Sequence, residues 1–391
     1  MGLSMSIKTL KIYIEPASLP LTQQLINYVQ SIDDENVYSI LILERLKINI
    51  DEIQNGRTVY AYKVNENLSQ KLNSVARFIL NRPGFKVEIH TNIFRAQDIL
   101  LPLLKQILPF IPQDTLQLHL YDDGTGTLLQ RAEMRRFDGK VLSKMMHERA
   151  EVLHHLLTSN KPLDAWEWNV VDNYVWHYFL DAKYYLLQSP RESQSGNRFF
   201  DKLQRATVPL NYDDAHPALL STVKIWDRLL AIPEGLRAQL SETAKNNEAV
   251  LFLTTYYIDV QKREEHHRAM LKKIAELKSS GALPDEKHII YKGHPVNGER
   301  NHALRSALGE NITELPDNIP LEYLHAQGLL PKNIAGCFSS SFFSMKNKNV
   351  KFVIMNGHAG NDVNRMNIEL IKLYGCFDTD NIIYLEDHAG L

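Results

Sequence analysis

Three short segments carry residue types whose spacing suits chemistry. The first is Asp122-Asp123-Gly124-Thr125-Gly126-Thr127. Two adjacent carboxylates at the end of an extended run point to opposite sides, so at most one meets a ligand and serves as a general base while the other caps the turn. Gly124 and Gly126 let the backbone turn sharply and approach a ligand closely. The second segment is Gly293-His294-Pro295-Val296-Asn297-Gly298. A histidine, with an ordinary pKa of about 6.5, suits proton donation or contact with a phosphate near neutral pH. Pro295 offers a rigid apolar face to a base ring. The third is Ser339-Ser340-Ser341-Phe342-Phe343-Ser344, where hydroxyls and free N–H groups at a helix start suit an anion. Each segment also has a plain structural reading: an Asp-Gly turn, a loop histidine, a serine N-cap.

Other clusters read as structural. His147-Glu148-Arg149-Ala150-Glu151 opens like a zincin helix but has Glu151 where a second histidine is required. His154-His155 and His266-His267 are adjacent on helices, diverge by about 100°, and read as solvated helical faces. Cys337 and Cys376 lack zinc-ligand spacing, and two cysteines in 391 residues fit a reducing compartment. The chain has no GxxxxGK[ST] or GxGxxG phosphate loop.

The elements that must hold these segments alternate between short apolar runs and periodic helices. Strands are expected at 11–14, 37–43, 86–90, 116–121, 249–255, 288–292, 333–337, 351–355 and 381–385. Leu21, Leu25, Val29 and Ile32 repeat at helical spacing, as do Leu100, Leu103, Leu104 and Ile107. This βαβα order implies parallel sheets covered by helices on both faces. The strands form two groups around a tract, 141–247, that reads as mostly helical and holds all four tryptophans. Two α/β domains joined near residues 155–170 are therefore expected. In open parallel sheets ligands bind at the carboxyl ends of strands, where all three segments fall. Lys plus Arg number 44 and Asp plus Glu 46, which excludes the basic excess of a nucleic-acid binder. No apolar run approaches the roughly 18 residues of a membrane span, and the start lacks the apolar core of a signal peptide.

Taken together, the segments resemble the multifunctional bacterial sialyltransferases of glycosyltransferase family 80. IYIEPASLP resembles that family's opening strand and loop, Tyr121-Asp122-Asp123-Gly124 its YDDG motif, Lys292-Gly293-His294-Pro295 its KGHP motif, and Ser339-Ser340 its SS motif. The likeness runs in order over nearly the whole chain. It implies an α/β GT-B fold, two doubly wound Rossmann-like domains facing across a deep cleft. It implies an acceptor-binding domain over 1–158 with a returning C-terminal segment, 363–391, and a CMP-sugar-binding domain over 159–362. The implied reaction moves sialic acid from CMP-sialic acid to a terminal galactose or N-acetylgalactosamine.

The family's roles carry over residue by residue. Asp123 matches the general base and His294 the group that meets the departing phosphate. Ser339 and Ser340 match phosphate contacts and Glu322 the carboxylate that holds the ribose. Lys292, Gly293 and Pro295 match contacts to the cytidine. Arg57, His90, Tyr256 and Tyr257 match acceptor contacts. The chain departs from the pattern after YDDG, where Thr125-Gly126-Thr127-Leu128 stands in place of a segment ending in Glu-Tyr, and a tyrosine replaces the acceptor-stacking tryptophan. Those changes leave open a transferase for another CMP-activated ulosonic acid, such as CMP-Kdo. A non-catalytic glycan- or nucleotide-binding protein is the alternative of another class. A monophosphate leaving group needs no chelated cation, so no metal or cofactor is expected, and inversion by direct displacement follows. The expected location is cytoplasmic, at the inner face of the bacterial inner membrane, where lipooligosaccharide is the acceptor and a peripheral membrane contact serves it.

Overall fold

The computed structural model of the protein describes residues 8–53, 56–187, 198–213, 217–255, 259–295 and 298–385. All seven residues of Val37–Leu43 are buried, as required of a strand covered by helices on both faces. The chain divides into two units, Met1–Leu210 with Ser221–Leu230, and Asn211–Leu220 with Ala231–Leu391.

The first unit is built on β1 (Thr9–Glu15), β2 (Val37–Leu43), β3 (Thr58–Tyr62), β4 (Lys86–Asn92), β5 (Leu116–Tyr121), β6 (Asp181–Leu187) and β7 (Thr207–Leu210). They lie in the order β3-β2-β1-β4-β5-β6-β7, and every pairing is parallel. Its helices are α1 (Ser18–Gln30), α2 (Leu68–Leu80), α3 (Leu101–Ile107), α4 (Thr125–Met134), α5 (Gly139–Thr158), α6 (Arg198–Arg205) and α8 (Val223–Leu229), while α7 (Pro217–Ser221) falls almost wholly in the second unit. Because side chains alternate along a strand, Ile12, Ile14, Ile89, Leu118 and Leu120 share an apolar core with α2, α3, α5 and α6.

The alternate positions carry Lys11, Tyr13, Glu15, Glu88, His90, Asn92, His119 and Tyr121, a polar face that α1 covers. Asn27 of α1 donates to the Tyr121 hydroxyl at 2.7 Å, and Gln24 donates to Glu15 Oε2 at 2.6 Å. Between them Tyr13, His90 and His119 stack across neighbouring strands, with centroids 4.3 and 4.2 Å apart. A buried polar layer of this kind is stable only where its members find partners, and that constraint fixes the strand ends it leads to.

The second unit follows with α9 (Leu236–Ala244), β8 (Val250–Leu253), α10 (Val260–Ser279), β9 (Ile289–Lys292), α11 (Glu299–Leu308), β10 (Thr313–Glu314), α12 (Leu321–His325), β11 (Asn333–Cys337), α13 (Ser341–Ser344), β12 (Asn349–Asn356), α14 (Asp362–Tyr374) and β13 (Ile382–Leu385). Its strand order is β10-β9-β8-β11-β12-β13, also parallel. Both sheets therefore start at an interior strand, step outward twice, and return to its other side. The order reverses between β1 and β4 and between β8 and β11, where carboxyl-end loops diverge and leave room for a ligand.

Several expectations need correction. The tract 141–247, expected to be mostly helical, also holds β6 and β7, of which β6 hydrogen-bonds to β5 and β7 to β6. The units consequently do not divide at 158/159. The segment expected to return over 363–391 is described as far as Leu385, and it belongs to the second unit. β13 pairs with β12, and Tyr374 of α14 packs edge-on against Phe343 of α13 at 5.6 Å. The solvated face expected for His266-His267 is also half wrong. His266 is buried, and its Nδ1 shares a 3.0 Å hydrogen bond with Asn356 Oδ1. No described helix is long and apolar enough to cross a membrane.

Candidate active site

Asp122 and Asp123 follow β5, and their environments are opposite. Asp122 is fully buried and every contact around it is structural. Its Oδ1 accepts from the Thr127 hydroxyl and from Gly124 N at 3.2 Å. Its Oδ2 accepts from Leu187 N at 3.0 Å and pairs with the buried Arg131 guanidinium at 3.1 Å. It ties β5, α4 and β6 together. Asp123 is only part-buried, and its carboxylate accepts from the Asn92 side-chain amide. Gly124, at φ 99°, makes the turn into α4 immediately afterwards, a conformation that other residues rarely adopt.

Glu15, Asn92 and Asp123 stand at or just beyond the carboxyl ends of three adjacent strands, β1, β4 and β5, two of which flank the switch point. Burial, and secondarily the Asp122 charge, push the Asp123 carboxyl up to about 6, against the opposing Asn92 hydrogen bond and the Arg95 and Arg45 charges. Such a carboxyl is ionised at neutral pH yet basic enough to accept a proton. Glu15 is wholly buried, and burial together with the Asp123 charge raises it well above the usual carboxyl range.

The other expected acceptor contacts do not join it. Arg57 precedes β3, and its carbonyl accepts from Ser39 N at 2.9 Å, at the amino end of the sheet. That is the opposite end from Asp123 and several strands away. His90 is 1% exposed, one strand repeat beneath Asn92, and it shares a 2.7 Å hydrogen bond with the Tyr121 hydroxyl. Burial lowers its pKa to about 4, so it is a neutral member of the covered layer. Tyr256 and Tyr257 lie outside the described residues.

Glu88, His90 and His119 bring possible metal-ligand atoms within 4.8 Å of one another. The two rings are stacked 11° from parallel, so an ion in the plane of one lies well out of the plane of the other. The Lys11 ammonium already sits 3.5 Å from the Glu88 carboxylate. The cluster is a hydrogen-bonded charge layer with no converging donor set.

In the second unit the expected donor contacts gather at the carboxyl ends of β9 and β11 and in α12. His294 is held by its backbone. Its N–H donates to Thr254 Oγ1 at 2.9 Å, just past β8, and its carbonyl accepts from Asn301 Nδ2 of α11 at 2.8 Å. Gly293 is required here, because a Cβ would lie 2.5 Å from the Asn301 side chain. Lys292 turns inward. Its ammonium donates to the carbonyls of Pro316 at 2.6 Å and Ile319 at 3.1 Å, fixing the loop that leads into α12. Burial lowers it to about 8, opposed by the charges of Asp317 and Glu322. Glu322, in the first turn of α12, accepts from the Ser344 hydroxyl at 2.9 Å, and burial raises its pKa. Ser339 Oγ accepts from Ser341 N at 3.3 Å, and Ser340 precedes the short α13. Pro295 follows His294 and is part-buried.

The three sequence segments thus occupy strand ends in two similar sheets. The sequence reading missed Glu15, Asn92, Thr254 and Asn301. The first three sit at or just past the ends of β1, β4 and β8, positions that the strand-end rule itself marks out.

The model of a family described as sialyltransferase PMO188 matches residues 10–372. The chain belongs to that family. It is therefore a glycosyltransferase of the sialyltransferase class, and a galactoside acceptor is a finer question. Curated protein sequences yield no match. An α/β-galactoside α-2,3-sialyltransferase from Photobacterium phosphoreum is 17% identical, covering 97% of this chain and 99% of its own, with a TM-score of 0.75. A 2,6-sialyltransferase from Photobacterium sp. JT-ISH-224, solved with the donor product CMP and the acceptor substrate lactose, is 16% identical, covering 97% and 79%, with a TM-score of 0.80. The GT-B domain of a Photobacterium damselae sialyltransferase is 18% identical, covering 96% and 99%, with a TM-score of 0.76. At these identities the likeness establishes the fold, which is GT-B.

Proposed function

We propose that this family member transfers sialic acid from CMP-sialic acid to a terminal galactose or N-acetylgalactosamine, with inversion at the anomeric carbon and without a metal ion. The observation that carries the proposal is the asymmetry of the Asp122-Asp123 pair. One carboxylate is consumed by structure, and the other stands at a strand end with its pKa raised to about 6.

Attack at the anomeric carbon passes through an oxocarbenium-like state, and the acceptor hydroxyl must lose its proton as the bond forms. Asp123 takes that proton, oriented by Asn92. The leaving cytidine monophosphate gains negative charge as the glycosidic bond breaks. His294 and the hydroxyls of Ser339 and Ser340 stabilise that charge, in a loop whose position Thr254 and Asn301 fix. Glu322 holds the ribose hydroxyls, with Gly293 and Pro295 at the cytosine. Lys292 acts by holding the loop into α12. A single nucleophile on the face opposite the leaving group gives inversion, and a monophosphate offers no diphosphate for a metal to chelate.

The test is CMP release from CMP-sialic acid with and without lactose, for the parent protein and Asp123→Ala. The parent should show lactose-dependent release. Asp123→Ala should turn over about 10²- to 10⁴-fold more slowly while still binding CMP. A folded Asp123→Ala protein with parental turnover removes Asp123 from the reaction.

A further inference from the structure

A second region of the first unit gathers cationic side chains around an open cavity and shares no residue with the Asp123 site. Between α5 and α6 lies an open cavity of about 390 Å³, within the range of small-ligand sites. Its α6 wall presents Arg198, Lys202 and Arg205, which recur at i, i+4 and i+7 and so share one helical face. Among the described residues Asp201 is the one carboxylate in the lining. Three cations against one anion leave an excess of two positive charges, in a chain whose formal net charge is −2. Among the described residues, Arg198 and Arg205 have no ion pair.

The opposite wall supplies polar groups that suit an oxyanion. Ser143 and His147 stand one turn apart on α5, and Tyr178 also lines the cavity. His147 is paired with the exposed Glu151 at 3.2 Å. The Lys202 ammonium lies 3.5 Å over the Tyr178 ring, a cation–π contact that holds the charge at the cavity rather than in open solvent. Burial and the Arg205 charge lower Lys202 below its ordinary range. Beside the cavity, His177 is lowered to about 3, by burial first and then by Lys202 and Arg205. Positive charges kept close enough to disfavour one another's protonation are relieved by an anion.

We propose that this cavity binds the phosphate group of an anionic ligand, either an anionic phospholipid headgroup or a free phosphorylated saccharide. Arg198 and Arg205 grip the phosphate oxygens through their guanidinium forks, Lys202 adds a point charge, and Ser143 and Tyr178 donate hydroxyl hydrogens. The inference is independent of the proposed reaction, because none of these residues takes part in it. Net charge does not supply the attraction, so binding must follow the local geometry.

The test compares the parent, the variant Arg198→Gln/Lys202→Gln/Arg205→Gln, and a charge-matched control, Lys262→Gln/Lys272→Gln/Lys287→Gln, at exposed positions of the second unit. Each is sedimented with phosphatidylcholine vesicles containing 30 mol% phosphatidylglycerol, and each is titrated with glucose 6-phosphate by calorimetry. The parent and the control should bind at least one probe saturably, the α6 variant at least tenfold more weakly, and CMP release should be the same in all three. Vesicle binding alone identifies a headgroup; glucose 6-phosphate binding alone identifies a free phosphorylated ligand. Equal weakening in the α6 variant and the control, or no binding of either probe by the parent, overturns the proposal. If CMP release is absent in every protein while the binding difference persists, the proposed reaction fails and the anion site stands.

Discussion

Removing the Asn92 amide should move the acidic limb of the pH–rate profile upward. Asn92 is the largest influence holding down the Asp123 pKa, against burial and the Asp122 charge. A hydrogen bond to a charged carboxylate is worth about 1.5–3 kcal/mol, and 1.36 kcal/mol corresponds to one pKa unit. Asn92→Ala should therefore raise Asp123 by about 1–2 units, from about 6 to about 7–8. The sign is fixed by the role. A base works only when deprotonated, so activity falls as pH drops through its pKa, and a higher pKa brings that fall at higher pH. At pH 7 the ionised fraction drops from about 0.9 to between about 0.5 and 0.1, so kcat/KM falls about two- to tenfold. At pH 9 it should return close to the parental value. The assay is lactose-dependent CMP release from pH 5 to 9.5, with circular dichroism to verify folding. A limb that stays near pH 6, or a loss that is the same at every pH, refutes the view that Asn92 tunes Asp123.

Asp122→Ala should damage stability before chemistry. It removes the carboxylate paired with the buried Arg131 guanidinium, and breaking such a pair costs about 3–5 kcal/mol, read as a lower urea midpoint. An Asp122→Ala protein of parental stability would contradict that assignment. His294→Ala should lower kcat on the order of 10²-fold while weakening CMP binding only modestly, because its contribution lies in the transition state. A donor with a better leaving group should partly restore the His294 variant and leave Asp123→Ala unchanged; near-parental turnover in the folded His294 variant removes it from the mechanism. Turnover should persist in excess EDTA, and full inactivation reversed by Mg²⁺ or Mn²⁺ would overturn the metal-free reaction.

How much was legible in the sequence depended on how strongly each element advertised itself. Val37–Leu43, Leu116–Tyr121 and Asn333–Cys337 have the expected bounds, because short runs rich in apolar residues and buried on both faces have few other readings. Asp181–Leu187 escaped notice because its first residues alternate polar and apolar among short helical turns, and Thr207–Leu210 because four residues carry almost no period. Both lie at one side of the sheet, and missing them displaced the domain boundary. At the site, Asp123 and His294 announced themselves by chemistry. Asn92 and Asn301 were silent, since an asparagine matters only through what it touches, a carboxylate in one case and a carbonyl in the other. Arg57 and His90 failed for the complementary reason. Their types suited a sugar, but the register places one at the wrong end of the sheet and the other beneath α1.

The most direct test of the central claim is to incubate the protein with CMP-sialic acid and lactose in EDTA, and to measure CMP and sialylated lactose together. The account predicts equal amounts of both products, release of CMP that depends on lactose, the inverted anomer in the product, and loss of both products in Asp123→Ala. CMP release that ignores lactose, or a clear preference for CMP-Kdo over CMP-sialic acid, would contradict it.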